Sequence, residues 1–312
     1  MTGALAAFAP IWVLTGLGYL LRRFDVLGER ADAVLTRFVF LVAMPAVLFS
    51  TLIGTPFTAL VNEGVLAFVA GTVVAAALGF AVSLLVFRRK LAERTLSTAV
   101  ASYVNAGNLG IPVALQVLGN STFIVAVLLF QSLVMMPLML AVVETGVAGG
   151  KGVRVRTLLT LPVRNPVIAA SLLGVIVGSL GLDLPTVLLE PIHTLGDAGV
   201  ACALVVLGMS LRGDRADGPA PARRWEIVTM VALKVVVQPA VTFGACLLLG
   251  LPGPLLFAAV LCSALPTAQN IFIAAGRYAV EVRFVRDCVL ISTLCSMVTL
   301  SLIAWLLGAA VL

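Results

Sequence analysis

Apolar residues run along this chain in long blocks, each closed by a short polar connection. Ten blocks stand out, at approximately 4–21, 34–53, 65–87, 95–118, 122–144, 166–182, 187–211, 226–249, 254–276 and 285–308. A helix needs about 20 mostly apolar residues to cross the hydrocarbon layer of a bilayer. The pattern therefore predicts an all-α polytopic membrane protein with ten transmembrane helices. Composition agrees. The 312 residues are 61% hydrophobic and only 11% charged, with a mean hydropathy of +1.17. A soluble domain carries about 25% charged residues, so this chain lacks the polar surface that water requires. The start, MTGALAAFAP, has no basic region ahead of its apolar run and does not read as a cleaved signal peptide.

The charges are not scattered. Arg22, Arg23, Arg30 and Arg37 fall at the first connection, and Arg88, Arg89, Lys90 and Arg94 at the third. Lys151, Arg154, Arg156 and Arg164 mark the fifth, and Arg212, Arg215, Arg223 and Arg224 the seventh. Arg277, Arg283 and Arg286 mark the ninth. Nineteen of the twenty basic residues thus lie at odd-numbered connections, and Lys234 is the exception. A missed or extra span would scramble this alternation. By the positive-inside rule the odd connections are cytoplasmic and both termini lie outside, for a multi-pass protein of the plasma (inner) membrane. The net charge of +6 is then a topology signal and implies no nucleic-acid partner. Trp12, Trp225 and Trp305 fall near span ends and suit interfacial belts.

The longest polar connection divides the chain into two five-span halves, 1–145 and 166–312, joined by a cytoplasmic linker at 146–165. An odd number of spans per half means that the second half enters the membrane from the opposite side, as an inverted repeat. Two spans in corresponding places are interrupted. The fourth carries NAGNLGIP and the ninth SALPTAQN. Proline removes a backbone donor and clashes with the preceding turn, and Gly107 and Gly110 ease departure from helical geometry. Freed backbone groups cost several kcal/mol each in lipid, so such breaks belong where protein or a wet cavity shelters them. Crossed broken helices of this kind point to a central binding site, and their inner N-termini favour an anion. Asn105, Asn108, Gly110, Pro112, Pro266, Thr267, Gln269 and Asn270 are the candidate binding residues there. The plainer alternative is a pair of proline kinks with asparagines bonding between helices.

Three further prolines, Pro45, Pro137 and Pro239, interrupt spans two, five and eight without a partner in the other half. Lys234 lies eight residues beyond Glu226, about 12 Å into the membrane. An intramembrane lysine is costly and needs a cavity or a partner. It is read here as a holder of a substrate carboxylate or a stand-in for a bound cation, with Pro239 freeing a carbonyl for it; a snorkelling or structurally paired lysine is the alternative. Gln131 and Ser132 in span five, and Ser292 and Thr293 in span ten, sit at similar depth, with Gln131 the stronger site candidate. Asp197 and Asp287 read as gates or caps, Glu144 as an Arg-paired or solvated group, and His193 has no assigned role. Cys202, Cys246, Cys262, Cys288 and Cys295 lie in apolar segments without metal-ligand spacing. No metal cluster, nucleophile motif or phosphate loop appears, so an enzyme is not expected, and neither is a cofactor.

Several segments together resemble the auxin efflux carrier family, over nearly the whole chain: LVAMPAVLFSTL in span two, NAGNLGIP in span four, ALVVLGMSL in span seven, LKVVVQPA in span eight, and ALPTAQNIFIAAGRYAV followed by STLCSMVT in spans nine and ten. The resemblance implies a fold shared with bile acid/sodium symporter-like proteins. Spans 1, 2, 6 and 7 would form a scaffold, and spans 3–5 and 8–10 a transport domain moving like an elevator. It places substrate at the crossing, with Gln131 facing it and Pro45, Phe49 and Ser50 lining the scaffold side. It implies a carrier of a small organic anion, a mono- or dicarboxylate such as malate or malonate, and leaves a homodimer open. The long cytoplasmic loop of many plant members is missing, and span three has no mid-membrane acid, so proton or sodium coupling is left unassigned. A sodium-coupled symporter, or a passive channel or receptor, is the alternative.

Overall fold

The computed structural model describes residues 9–28, 30–55, 60–147, 166–182, 184–211 and 223–311. Most of the linker at 146–165, with Lys151, Arg154, Arg156 and Arg164, lies outside the described residues, as do Arg212 and Arg215. Twelve helices make up what is described: α1 (Ala9–Arg23), α2 (Ala31–Ile53), α3 (Glu63–Leu85), α4 (Leu91–Ser102), α5 (Ala106–Leu118), α6 (Thr122–Val147), α7 (Pro166–Ser179), α8 (Thr186–Ser210), α9 (Arg224–Leu248), α10 (Gly253–Ser263), α11 (Gln269–Tyr278) and α12 (Val282–Val311). Among the described residues there is no strand, only one isolated bridge between Val104 and Thr267.

Six helices, α2, α3, α6, α8, α9 and α12, are long and apolar enough to cross a membrane. The fourth apolar block is two helices, α4 and α5, and the ninth is also two, α10 and α11. The outside of the molecule is its oily side. Val187, Trp225 and Leu248 are 78–90% exposed, while Lys234, Gln238, Thr242, Ser263 and Thr267 are fully buried. Water would penalise that inversion and lipid favours it.

Helices α1, α2, α7 and α8 pack on one another, and α3, α4, α9, α10 and α12 form a second packed set. Glycines decide how closely the first set meets. A Cβ at Gly18 would strike the Val205 carbonyl, and one at Gly208 the Thr15 carbonyl, so α1 and α8 touch backbone to backbone. Gly174 and Gly178 bring α7 against Phe49, Leu52 and Ile53 of α2 in the same way. Small residues at the contact are what membrane helices use in place of a hydrophobic driving force.

Four of the prolines have a shared consequence. In α2, α5, α6 and α9 a widened π-helical turn ends two residues before a proline: Val39–Ala43 before Pro45, Ala106–Gly110 before Pro112, Gln131–Met135 before Pro137, and Leu233–Val237 before Pro239. In each, the residue preceding the proline donates its N–H five residues back, from Met44, Ile111, Met136 and Gln238 to Val39, Ala106, Gln131 and Leu233. Proline supplies no N–H and its ring crowds the carbonyl four residues before it; the turn opens to relieve both. Such bulges sit disproportionately at functional sites.

Polar groups gather at the connections on the Arg-rich side. Arg89 donates through Nε to both carboxylate oxygens of Glu226, at 3.0 and 3.1 Å, and its Nη2 also pairs with Glu226. Glu226 is 2% exposed. The hydrogen bond it donates to Glu226 holds the Arg89 guanidinium above its usual value, against the opposing effect of burial. Arg223 pairs with Glu281 between α11 and α12, and Asp287 pairs with its neighbour Arg286 at 3.0 Å.

Candidate functional site

Helix α4 stops at Ser102 and α5 starts at Ala106; α10 stops at Ser263 and α11 starts at Gln269. The two extended gaps meet in antiparallel fashion. Asn105 N–H donates to the Pro266 carbonyl at 2.8 Å, and Ala268 N–H to the Tyr103 carbonyl at 3.1 Å. This two-rung ladder satisfies backbone groups that both breaks expose, which is how broken helices persist away from water. Side chains complete it. Thr267 Oγ1 donates to the Val100 carbonyl at 2.7 Å, and Thr267 N–H to Ser292 Oγ of α12 at 3.2 Å. Asn108 Nδ2 donates to Gln269 Oε1 at 2.9 Å, tying the starts of α5 and α11 together.

The crossing divides the buried apolar residues into two clusters, one with Leu109, Leu261 and Leu265 and the other with Leu96, Ile271 and Val285. Between them lies a cavity of about 40 Å³. Its polar wall is Asn105, Asn108, Gln131, Ser132 and Asn270, with Val104, Ala106, Gly107 and Ala268 between them. Phe40, Met44, Tyr103, Ile111 and Leu128 close the rest. No lining residue carries a formal charge.

Two side chains there are left with donors to spare. Asn105 Oδ1 accepts from Asn108 N–H at 3.2 Å as the cap of α5. Its Nδ2, and the Nε2 of Gln131, are buried and have no hydrogen-bond partner among the described residues. Asn105 is 3% exposed and Gln131 1%. A buried donor without an acceptor costs about 1–3 kcal/mol, and an orphan of this kind in a native site needs an explanation. Here both line the same cavity. Helix α11 adds to them: Ala268, at its N-cap, supplies no side-chain bond, so the positive end of that helix faces the crossing uncapped. The chemistry on offer is neutral N–H donors around a small space, which suits a carboxylate oxygen.

Not every expected residue lines the cavity. Asn105, Asn108, Gln131 and Asn270 do. Gly110, Pro112, Pro266, Thr267 and Gln269 build the crossing behind it: Pro266 accepts from Asn105, Thr267 carries the bridge, and Gln269 holds Asn108. On the α2 side the lining is Phe40 and Met44, and the expected Pro45, Phe49 and Ser50 follow Met44 along the helix. Phe40 lies in the widened turn and Met44 directly after it; the Phe49 backbone meets Gly174 of α7, and Ser50 Oγ donates to the Val47 carbonyl of its own helix. Lys234 stands apart from the cavity. Its ammonium donates to Gln238 Oε1 at 2.5 Å and to the Ser263 carbonyl at 3.0 Å, so the carbonyl it meets comes from α10 and not from the Pro239 turn. Of the lining residues, Phe40, Met44 and Tyr103 lie outside the candidates that the sequence offers, whereas Ser132 is among those it places at the depth of Gln131. The available signal was position, since Phe40 lies five residues before Pro45 and within the turn that a proline widens.

The chain matches the family model described as "Membrane transport protein" over residues 4–148 and 153–304. A relative named "Putative malonate transporter" from Rhizobium meliloti (strain 1021) is 31% identical, across 97% of this chain and 95% of its own length. An uncharacterized transporter of Methanothermobacter thermautotrophicus is 28% identical across 96% and 97%, and one of Methanocaldococcus jannaschii is 24% identical across 95% and 96%. The match spans both broken helices and the proline turns between them, and the chain belongs to this membrane transport protein family, the auxin efflux carriers in the broad sense.

Proposed function

We propose that the protein is a secondary carrier for a small organic anion, a mono- or dicarboxylate, working by an elevator-type alternating-access cycle in the plasma membrane. The observation that carries this reading is the pair of buried, unpartnered amide donors, Asn105 Nδ2 and Gln131 Nε2, at one uncharged cavity between crossed helix ends. An anion would satisfy both donors and neutralise the helix end. A cavity of about 40 Å³ has room for roughly three water positions. So small a space argues against an indole carboxylate, and malonate is the substrate in the name of one relative. In this reading α1, α2, α7 and α8 form the scaffold, α3–α6 and α9–α12 form the moving body, and the halves 1–145 and 166–312 are inverted repeats. Support for the repeat is the pairing of the interrupted helices α4/α5 and α10/α11. Family membership supports a carrier role with no enzymatic step.

The test is counterflow of labelled malonate and other short carboxylates into proteoliposomes preloaded with the same compound. A carrier gives saturable, transient accumulation above equilibrium; a pore gives neither. Absence of counterflow for every short carboxylate, with folded protein in the vesicles, would overturn the substrate class.

A further inference from the structure

The buried polar cluster at the end of α10 lies off the cavity, and anion binding makes no use of it. Lys234, fully buried, bonds Gln238 Oε1 and the Ser263 carbonyl. Ser263 is the last residue of α10. A helix leaves its last four carbonyls without intrahelical partners, here those of residues 260 to 263. Ala264 N–H takes the Val260 and Leu261 carbonyls at 3.1 and 3.2 Å, and Leu265 N–H takes Cys262 at 3.4 Å. The Ser263 carbonyl is left, and it receives the lysine. Gln238 is itself fixed, donating from Nε2 to Thr72 Oγ1 at 2.9 Å, while its carbonyl accepts from Thr242 Oγ1 at 2.9 Å. Among the described residues no acidic side chain bridges to Lys234. Its charge is met by an amide oxygen, a main-chain carbonyl and the negative end of a helix.

Those are the ligands that a hard alkali cation takes, and the C-terminal ends of broken helices are where carriers of this general design coordinate a coupling ion. We propose that Lys234 is a tethered cation standing in the place of such an ion, so that the protein moves its anion without co-transported sodium. The transport meaning of this rests on the carrier reading above, whereas the cation site itself does not. Removing the side chain back to Cβ would vacate an oxygen-lined pocket of a size for a sodium or methylammonium ion.

The test separates the two layers. Wild-type protein in detergent should melt at the same temperature in sodium chloride and N-methylglucamine chloride. Lys234→Ala should melt lower in N-methylglucamine chloride and regain about 2 °C or more when sodium or methylammonium chloride is added. Lys234→Met, whose chain fills the space, should melt lower and show no such response. In proteoliposomes, wild-type counterflow should not change when sodium is omitted. Lys234→Ala should lose about tenfold without sodium or methylammonium, the scale of one lost charge-assisted hydrogen bond, and recover part with either. A sodium requirement in the wild type would overturn the proposal. So would an alanine variant indifferent to both cations, or one that cannot be purified folded in either salt. A cation response in melting without carboxylate counterflow leaves the tethered cation standing and removes the substrate reading instead.

Discussion

Asn105 and Gln131 concentrate the conflict between stability and function in two side chains. Each keeps a buried donor unpaired, at a cost of about 1–3 kcal/mol. Replacing Gln131 with leucine, near in volume, removes the orphan. Gln131→Leu is expected to raise the melting temperature by about 2 °C or more while abolishing both counterflow and stabilisation by malonate. A scanning-fluorimetry series with and without malonate checks this; a variant that melts lower and still responds to ligand contradicts it. Glu226 shows the opposite logic. It is almost fully buried and fully engaged by Arg89, so Arg89→Ala strands a carboxylate. A loss of about 3–5 kcal/mol follows for breaking a buried pair from one side, visible as a lowered unfolding midpoint. Polar residue types at depth were legible in the chain, since Asn, Gln and Lys inside apolar blocks stand out. Their partners were not: Lys234 reads equally as a substrate contact or a structural cation until Ser263, 29 residues away, is placed beside it.

Among the elements, the two interrupted spans carry the design. The proline and glycine pattern predicts breaks in spans four and nine, and the structure has them, with the ladder Asn105–Pro266 and Ala268–Tyr103 closing both. The two glycines of the first break differ in what they do. A Cβ at Gly110 would come within 2.8 Å of Ile124 and 2.9 Å of Leu265, whereas one at Gly107 meets nothing closer than Leu128 at 3.8 Å. Gly110→Ala is therefore expected to cost about 1–3 kcal/mol through overpacking, and Gly107→Ala about 0.5 kcal/mol or less in stability. Denaturation of the two purified variants side by side decides it; equal losses would refute the packing account. The prolines of α2, α6 and α9 read as isolated kinks along the chain. Their common effect, a widened turn directly before each, follows from the missing N–H, but it took the hydrogen bonds from Met44, Met136 and Gln238 to make it visible. Phe40 lies in the widened turn of α2 and Met44 directly after it, while the expected Phe49 and Ser50 lie further along the same helix.

For the whole molecule, the elevator reading makes the boundary between the two packed helix sets the surface that slides. Few polar links cross it in the described residues: Thr51 and Ser121 share a hydrogen bond at 2.9 Å, and Gln269 Nε2 donates to Ser210 Oγ at 2.9 Å. Single hydrogen bonds contribute about 1 kcal/mol each, weak enough to exchange during a cycle. Thr51→Cys with Ser121→Cys, in a background without the five native cysteines, should be bridged by mercuric ion. Bridging is expected to stop counterflow, and a thiol reductant to restore it. Undiminished counterflow in fully bridged protein would rule out sliding along this boundary.

Taken alone, the sequence determined the class, the family and the location of the breaks. These depend on block length, on the spacing of arginines between the apolar blocks, and on proline's missing donor, all of which are local or additive along the chain. Only the tertiary structure decided which groups meet. The bridge from Val104 to Thr267 spans more than 160 residues, and no local propensity encodes which broken end shelters which. Packing also decided that Lys234 serves a helix end and not the cavity, because a buried cation goes to the nearest unsatisfied oxygens, and folding alone brings those oxygens to it.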